Sequence, residues 1–185
     1  MVKHNNTMRF SGADLARDGM CAALVFVSTR VLQFPIPLGY AHLGNAMILL
    51  ASVFFGARTG ALAGGLGSAL ADLTSYPEWT LPTLVIKTLM GLLCAVIAGP
   101  ARAEGTRMRQ LRVFFAVLAA IAEMVAGYVA AGAALYGSWA VGLSQAPGLL
   151  TEGAAGIALF YLLGTALERT GVMKYVGTGR RRSGP

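Results

Sequence analysis

A chain of 185 residues that is 56% hydrophobic and only 12% charged, with a mean hydropathy of +0.63, carries about half the charge expected of a soluble globular protein. That is too little polar surface to keep it in water, and its 24 glycines show no Gly-X-Y period, so soluble and collagenous classes are excluded. The chain is expected to be an all-α integral membrane protein of one domain, whose net charge of +7 reports topology before it reports nucleic acid.

The first segment, 1–14, is read as a cytoplasmic lead-in. Lys3 and Arg9 ahead of an apolar run resemble a signal peptide, but Arg30 interrupts the run and no small-residue cleavage site follows, so a retained first helix is expected. A spanning helix needs about 20 mainly apolar residues. The first candidate is 15–34, closed by Pro35 and Pro37. A polar-flanked stretch, 39–45, leads to a short apolar run, 46–55, that ends at Gly56-Ala57-Arg58. A second short, glycine-rich run covers 60–73, followed by a turn-rich loop, 74–82, with two prolines and Trp79. The run 83–98 is apolar except for Lys87, and 102–112 is basic. The run 113–135 contains Glu123, 136–152 reads as a mixed loop with Trp139 and Pro147, and 153–167 is the last apolar run. The six-helix core thus covers 15–170, with a basic cytoplasmic tail over 171–185. Short second and third spans are tolerated where they tuck behind other helices or line a cavity.

The basic residues test this layout. With six spans and both termini on one side, Lys3, Arg9, Arg17, Arg58, Arg102, Arg107, Arg109, Arg112, Arg169, Lys174, Arg180, Arg181 and Arg182 all fall on that side. Of the 15 Lys and Arg residues, only Arg30 and Lys87 remain, both within spans. The positive-inside rule then puts both termini in the cytoplasm, and the tail is expected to meet anionic lipid rather than nucleic acid.

Four ionisable residues lie at membrane depth: Arg30, Asp72, Lys87 and Glu123. Arg, Lys and Asp each cost about 2.5–3.5 kcal/mol at the bilayer centre, so they need a partner or a task. Counted from the span ends, all four fall in the outer half. They suit a water-accessible cavity open to the outside; the alternative is two buried ion pairs that fix helix packing. The outer loops also carry Tyr40, His42, Asn45, Tyr76, Glu78, Trp79, Tyr136, Trp139, Gln145 and Glu152, whereas the inner boundary has little beyond Tyr175. An interfacial aromatic belt should occupy both faces, so the asymmetry points to rings that stack on a ligand, with Trp79 a candidate. Asn45 is either a ligand contact or the N-cap of the second helix. Small residues recur at Gly56, Gly60, Gly64 and Ser68, and at Ala119, Gly127 and Ala131; they allow close helix approach and leave room beside Asp72 and Glu123. Ala16, Gly19 and Ala23 form another small face on the cytoplasmic half of the first helix.

Other chemistry is lacking. No P-loop occurs, and Leu70 stands where the last glycine of a GxGxxG pattern would be. The only histidines are His4 and His42, on opposite sides, so neither a hydrolase base nor a metal site is expected. Cys21 and Cys94 sit in apolar runs as packing residues. No catalysis and no cofactor are expected.

The stretch 43–92 carries Leu43-Gly44-Asn45-Ala46, Phe55-Gly56-Ala57-Arg58-Thr59-Gly60, Gly64-Gly65-Leu66-Gly67-Ser68-Ala69-Leu70-Ala71-Asp72 and Pro82-Thr83-Leu84-Val85-Ile86-Lys87. In order and spacing it resembles the substrate-binding S components of energy-coupling factor (ECF) vitamin transporters, in the group that holds riboflavin, hydroxymethylpyrimidine and pyridoxine. The resemblance implies six helices around an outward-facing vitamin site capped by outer loops, in the plasma membrane of a prokaryote. It also implies partners: a membrane coupling protein and two cytoplasmic ATPase subunits, which fits the missing P-loop. In that family a small-residue face on the first helix, usually AxxxA, docks on the coupling protein; the match here is Gly19-x-x-x-Ala23, beside Ala16. The expected ligand contacts are Arg30, Asn45, Asp72, Trp79, Lys87 and Glu123. Mixed charges favour a neutral or zwitterionic ring, pyridoxine or hydroxymethylpyrimidine first and riboflavin second, over a phosphorylated ligand. Two other classes stay open: a stand-alone secondary transporter that couples to protons through Glu123 or Asp72, and an assembly protein whose charges are packing pairs.

Overall fold

The computed structural model describes residues 11–36, 39–99 and 107–171. They form α1 (Gly12–Arg30), a hairpin of β1 (Gln33–Ile36) and β2 (Gly39–His42), α2 (Gly44–Phe55), α3 (Ala57–Leu73), α4 (Thr80–Ala98), α5 (Leu111–Tyr136), the short α6 (Trp139–Ser144) and α7 (Ala146–Thr170). The protein is therefore an all-helical bundle apart from one small hairpin. Three segments, Pro77–Ala98, Leu111–Tyr136 and Trp139–Thr170, are long and apolar enough to cross a membrane, and Gly44–Phe55 is a shorter apolar helix.

Local chemistry sets the boundaries. Ser11 caps α1 by accepting from the Asp14 backbone N–H, while Asp14 accepts in return from the Ser11 backbone N–H, which satisfies donors the helix start leaves open. Gly56, at φ 89°, makes the turn that separates α2 from α3, a conformation that suits a residue without a Cβ. Pro147 sits in the first turn of α7, where a missing N–H costs nothing.

Two connections differ from their sequence reading. The segment between α1 and α2 is not plain loop: β1 and β2 pair antiparallel, Gln33 opposite His42 and Ile36 opposite Gly39, which gives this backbone partners that an irregular strand would lack. The stretch read as a loop over 136–152 holds α6 and the start of α7, so Glu152 lies within a helix instead of ahead of it.

α3 packs against α4, α1 and α2, and α5 bridges α4 to α6 and α7. The α3–α4 backbones touch: a Cβ at Gly91 would collide with the Gly60 carbonyl oxygen. The core between the helices contains Val25, Ile48, Leu49, Met90, Val117, Met124 and Phe160, all buried. The outward faces are apolar, with Leu81, Val85, Val96, Phe115 and Leu162 exposed, as a bilayer-facing surface requires. Arg17, Arg58, Arg109, Arg112 and Arg169 gather at one end of the bundle, and Arg30 stands at the other. Lys3, Arg9, Arg102, Lys174, Arg180, Arg181 and Arg182, on which the topology expectation also draws, and Tyr175, named for the aromatic asymmetry, lie outside the described residues.

Candidate functional site

At the bundle end that holds the hairpin and α6, polar side chains from α2, α3, α4, α5 and α7 meet below the surface. Lys87 on α4 is only 3% exposed, and its Nζ donates to Asn45 Oδ1 at 2.6 Å and touches Met124 Sδ at 3.1 Å. Asn45 on α2 is fully buried, and its Nδ2 donates to Glu152 Oε1 on α7 at 2.7 Å. His42 Nε2, at the end of β2, lies 3.0 Å from the same oxygen. The close approach of α7 needs Gly156, because a Cβ there would stand 2.9 Å from Asn45 Cβ. One chain of contacts therefore runs from the hairpin to the middle of α5.

A second chain begins at Asp72, near the end of α3. Thr83 Oγ1 donates to Asp72 Oδ2 at 2.5 Å and lies 2.9 Å from the Tyr128 hydroxyl. The single Thr83 proton is committed to the carboxylate, so Tyr128 is the donor in the second contact. The Tyr128 ring also lies under Lys87 Nζ at 5.2 Å, which joins the two chains through one side chain. Trp79 packs against Tyr128 and Tyr136 with centroids 5.8 and 6.2 Å apart. Over this wall opens a pocket of about 440 Å³ lined by Asp72, Tyr76, Trp79, Tyr136, Val141 and Gln145. That size is typical of small-molecule sites.

The structure brings Asn45, Asp72, Trp79 and Lys87 to this end of the bundle. Asn45 is not a helix cap: Leu43 holds that position, and both ends of the Asn45 amide are used on Lys87 and Glu152. Glu123 is half-buried on α5, and its Oε2 has no hydrogen-bond partner among the described residues. Arg30 is exposed at the end of α1 and stands apart from the cluster. None of these four charged groups forms an ion pair with another; the salt bridges among the described residues are Arg17 with Asp14 and Asp18, Arg58 with Asp18, and His42 with Glu152. Of the two tryptophans, Trp79 faces the pocket, while Trp139 is exposed outside it. Sequence reasoning did not select Thr83, Tyr128, Glu152, His42 or Gln145 as site residues. Thr83 and Tyr128 had one available signal: each lies on the same helix as a membrane-depth charge, four or five residues from it.

The opposite end is built differently. Asp18 on α1 is 3% exposed; its Oδ1 accepts from Thr59 Oγ1 at 2.7 Å and its Oδ2 pairs with Arg58 Nη2 at 3.0 Å. Arg17 reaches Asp14 at 3.0 Å and lies over the Phe55 ring. This cluster ties α1 to the α2–α3 turn. On the other side of α1, Ala16, Gly19 and Ala23 are exposed, and a Cβ added at Gly19 would meet nothing within 4 Å.

No group of three or more His, Cys, Asp or Glu residues among the described residues is arranged to hold a metal ion. Compared with known families, residues 9–169 match the family described as ECF-type riboflavin transporter, S component. An uncharacterized protein in the gap 3' region of Pyrococcus woesei is 42% identical over 115 residues, which cover 61% of this chain and 74% of that protein.

Proposed function

We propose, from the premise that this chain belongs to the S-component family of ECF-type riboflavin transporters, that it captures a flat heteroaromatic vitamin from outside the cell and presents it for uptake. Membership makes it a vitamin-binding subunit of a membrane transporter and not an enzyme. The observation that supports the finer reading is the open pocket over a connected polar network, which combines stacking faces with hydrogen-bonding groups.

Within that reading the whole chain is a single membrane domain of six spans, formed by α1, α2, α3, α4, α5 and α7, in the plasma membrane of a prokaryote. Both termini lie in the cytoplasm, which places the pocket outside. The described arginines at the opposite end support this orientation. Arg30, Asn45, Asp72, Trp79, Lys87 and Glu123 remain the proposed ligand-site residues. Asp72 and Trp79 line the pocket, Lys87 and Asn45 connect to it through Tyr128, and Arg30 and Glu123, outside its lining, complete the proposed set. For the ligand, we place riboflavin first and pyridoxine and hydroxymethylpyrimidine second, because the family is described by riboflavin and the aromatic wall extends over several rings. The exposed stripe of Ala16, Gly19 and Ala23 is the proposed docking face for a coupling protein that works with two ATPase subunits. Native mass spectrometry of the protein purified from cells supplied with these vitamins tests the reading. A bound vitamin mass is expected. A protein that stays free of small molecules when titrated with all three vitamins contradicts it.

A further inference from the structure

The pocket wall carries one carboxylate and no cation: Lys87 is not part of its lining and is engaged with Asn45 and Met124. The state of that carboxylate is informative. Asp72 Oδ2 is held by Thr83, which is held in turn by Tyr128, while Oδ1 accepts no hydrogen bond among the described residues. One oxygen is thus anchored by a relay that fixes the side chain, and the other is left for something else. Across the pocket, the Gln145 amide makes no side-chain hydrogen bond among the described residues either. Its place is made by Gly132, where a Cβ would collide with Gln145 Nε2. The remaining lining is aromatic or apolar. An ionised carboxylate only accepts, so it is complementary to a donor, and a carboxamide both donates and accepts.

We propose that Asp72 is the specificity-determining residue of this site. Its free Oδ1 accepts from an N–H on the edge of the ligand's ring, and Gln145 meets the neighbouring polar atom of the same edge. The site then takes heteroaromatic rings that carry an N–H donor and rejects the same rings once that nitrogen is alkylated. Loss of the donor would leave a desolvated carboxylate oxygen unpaired, and a methyl group would press against it. This rests on the vitamin-binding reading above and adds the chemical feature being read.

The test compares affinities of the purified protein for riboflavin and 3-methylriboflavin, and for hydroxymethylpyrimidine and its dimethylamino analogue. The same titrations, with pyridoxine added, are repeated on Asp72→Asn, with melting temperature as the folding control. Wild type is expected to bind the alkylated member of its preferred pair about tenfold or more weakly. Asp72→Asn should weaken the parent vitamin by a similar factor and shrink the gap within the pair. Thr83→Val retains the carboxylate and should keep the gap. Equal binding of both members of a pair by wild type overturns the inference and leaves the vitamin reading standing, and it needs no variant to fold. An undiminished gap in Asp72→Asn, or pyridoxine binding that ignores this substitution, does the same. If none of the three vitamins binds folded wild-type protein, the vitamin reading fails and the inference fails with it.

Discussion

The two ends of the bundle bury polar groups in opposite ways. At the end where the arginines cluster, both oxygens of Asp18 are engaged within the protein: Thr59 hydrogen-bonds Oδ1 and Arg58 forms an ion pair with Oδ2, and the result joins α1 to the α2–α3 turn. At the pocket end, the network is connected but incomplete, since Asp72 keeps one oxygen open and Gln145 faces a pocket. A buried polar group with all its partners inside the protein can only hold the fold together. One that is anchored on one side and open on the other can also bind. The exposed small-residue stripe of α1 adds a second contrast: it lies at the Asp18 end, and a Cβ added at Gly19 would meet nothing within 4 Å, which suits the proposed helix-docking face.

Substitutions can break this comparison at either end. The largest effect is expected from Gly19→Trp or Ala23→Trp, where bulk on the open face of α1 should abolish uptake in cells carrying the coupling module and leave ligand affinity within about twofold. Next is Lys87→Ala. It leaves the buried Asn45 Oδ1 without its donor, a loss of about 1–3 kcal/mol, so isothermal titration should show about tenfold weaker binding. Glu123→Gln should do less, because Glu123 hydrogen-bonds none of the network. Asp18→Ala leaves the fully buried Thr59 hydroxyl without its acceptor and should cost about 1–3 kcal/mol of stability, seen as a melting temperature several degrees lower, with affinity at the pocket unchanged. The smallest effect is expected for Tyr128→Phe. It removes one hydrogen bond behind Asp72, worth about 0.5–1.5 kcal/mol, and should weaken binding a few-fold without disturbing the fold.

The helices were legible because a spanning segment must satisfy its backbone internally and show lipid an apolar face. The runs 83–98 and 113–135 fall within α4 and α5, and Gly56 marked the break between α2 and α3. The hairpin was not legible, since its pairing depends on how the ends of α1 and α2 are placed. The start of α7 was obscured because Pro147 and polar neighbours look like a loop while also being tolerated in a first helical turn. That misreading hid the role of Glu152, which was counted among the outer-loop residues and as a helical one holds Asn45. Membrane-depth charges announced Asp72 and Lys87 through their cost alone. Thr83 and Tyr128 carry no such cost, and they became visible only when folding set them against Asp72. Asp18 was passed over because it sits near the predicted inner boundary, where a carboxylate needs no explanation.

The central claim is that ligand capture and coupling belong to separate ends of one bundle. Its most direct test is Ala23→Trp, with ligand affinity measured by isothermal titration and uptake measured in cells expressing the coupling module. The account predicts wild-type affinity with no uptake. Loss of affinity and uptake together in a variant that still inserts and folds would contradict it.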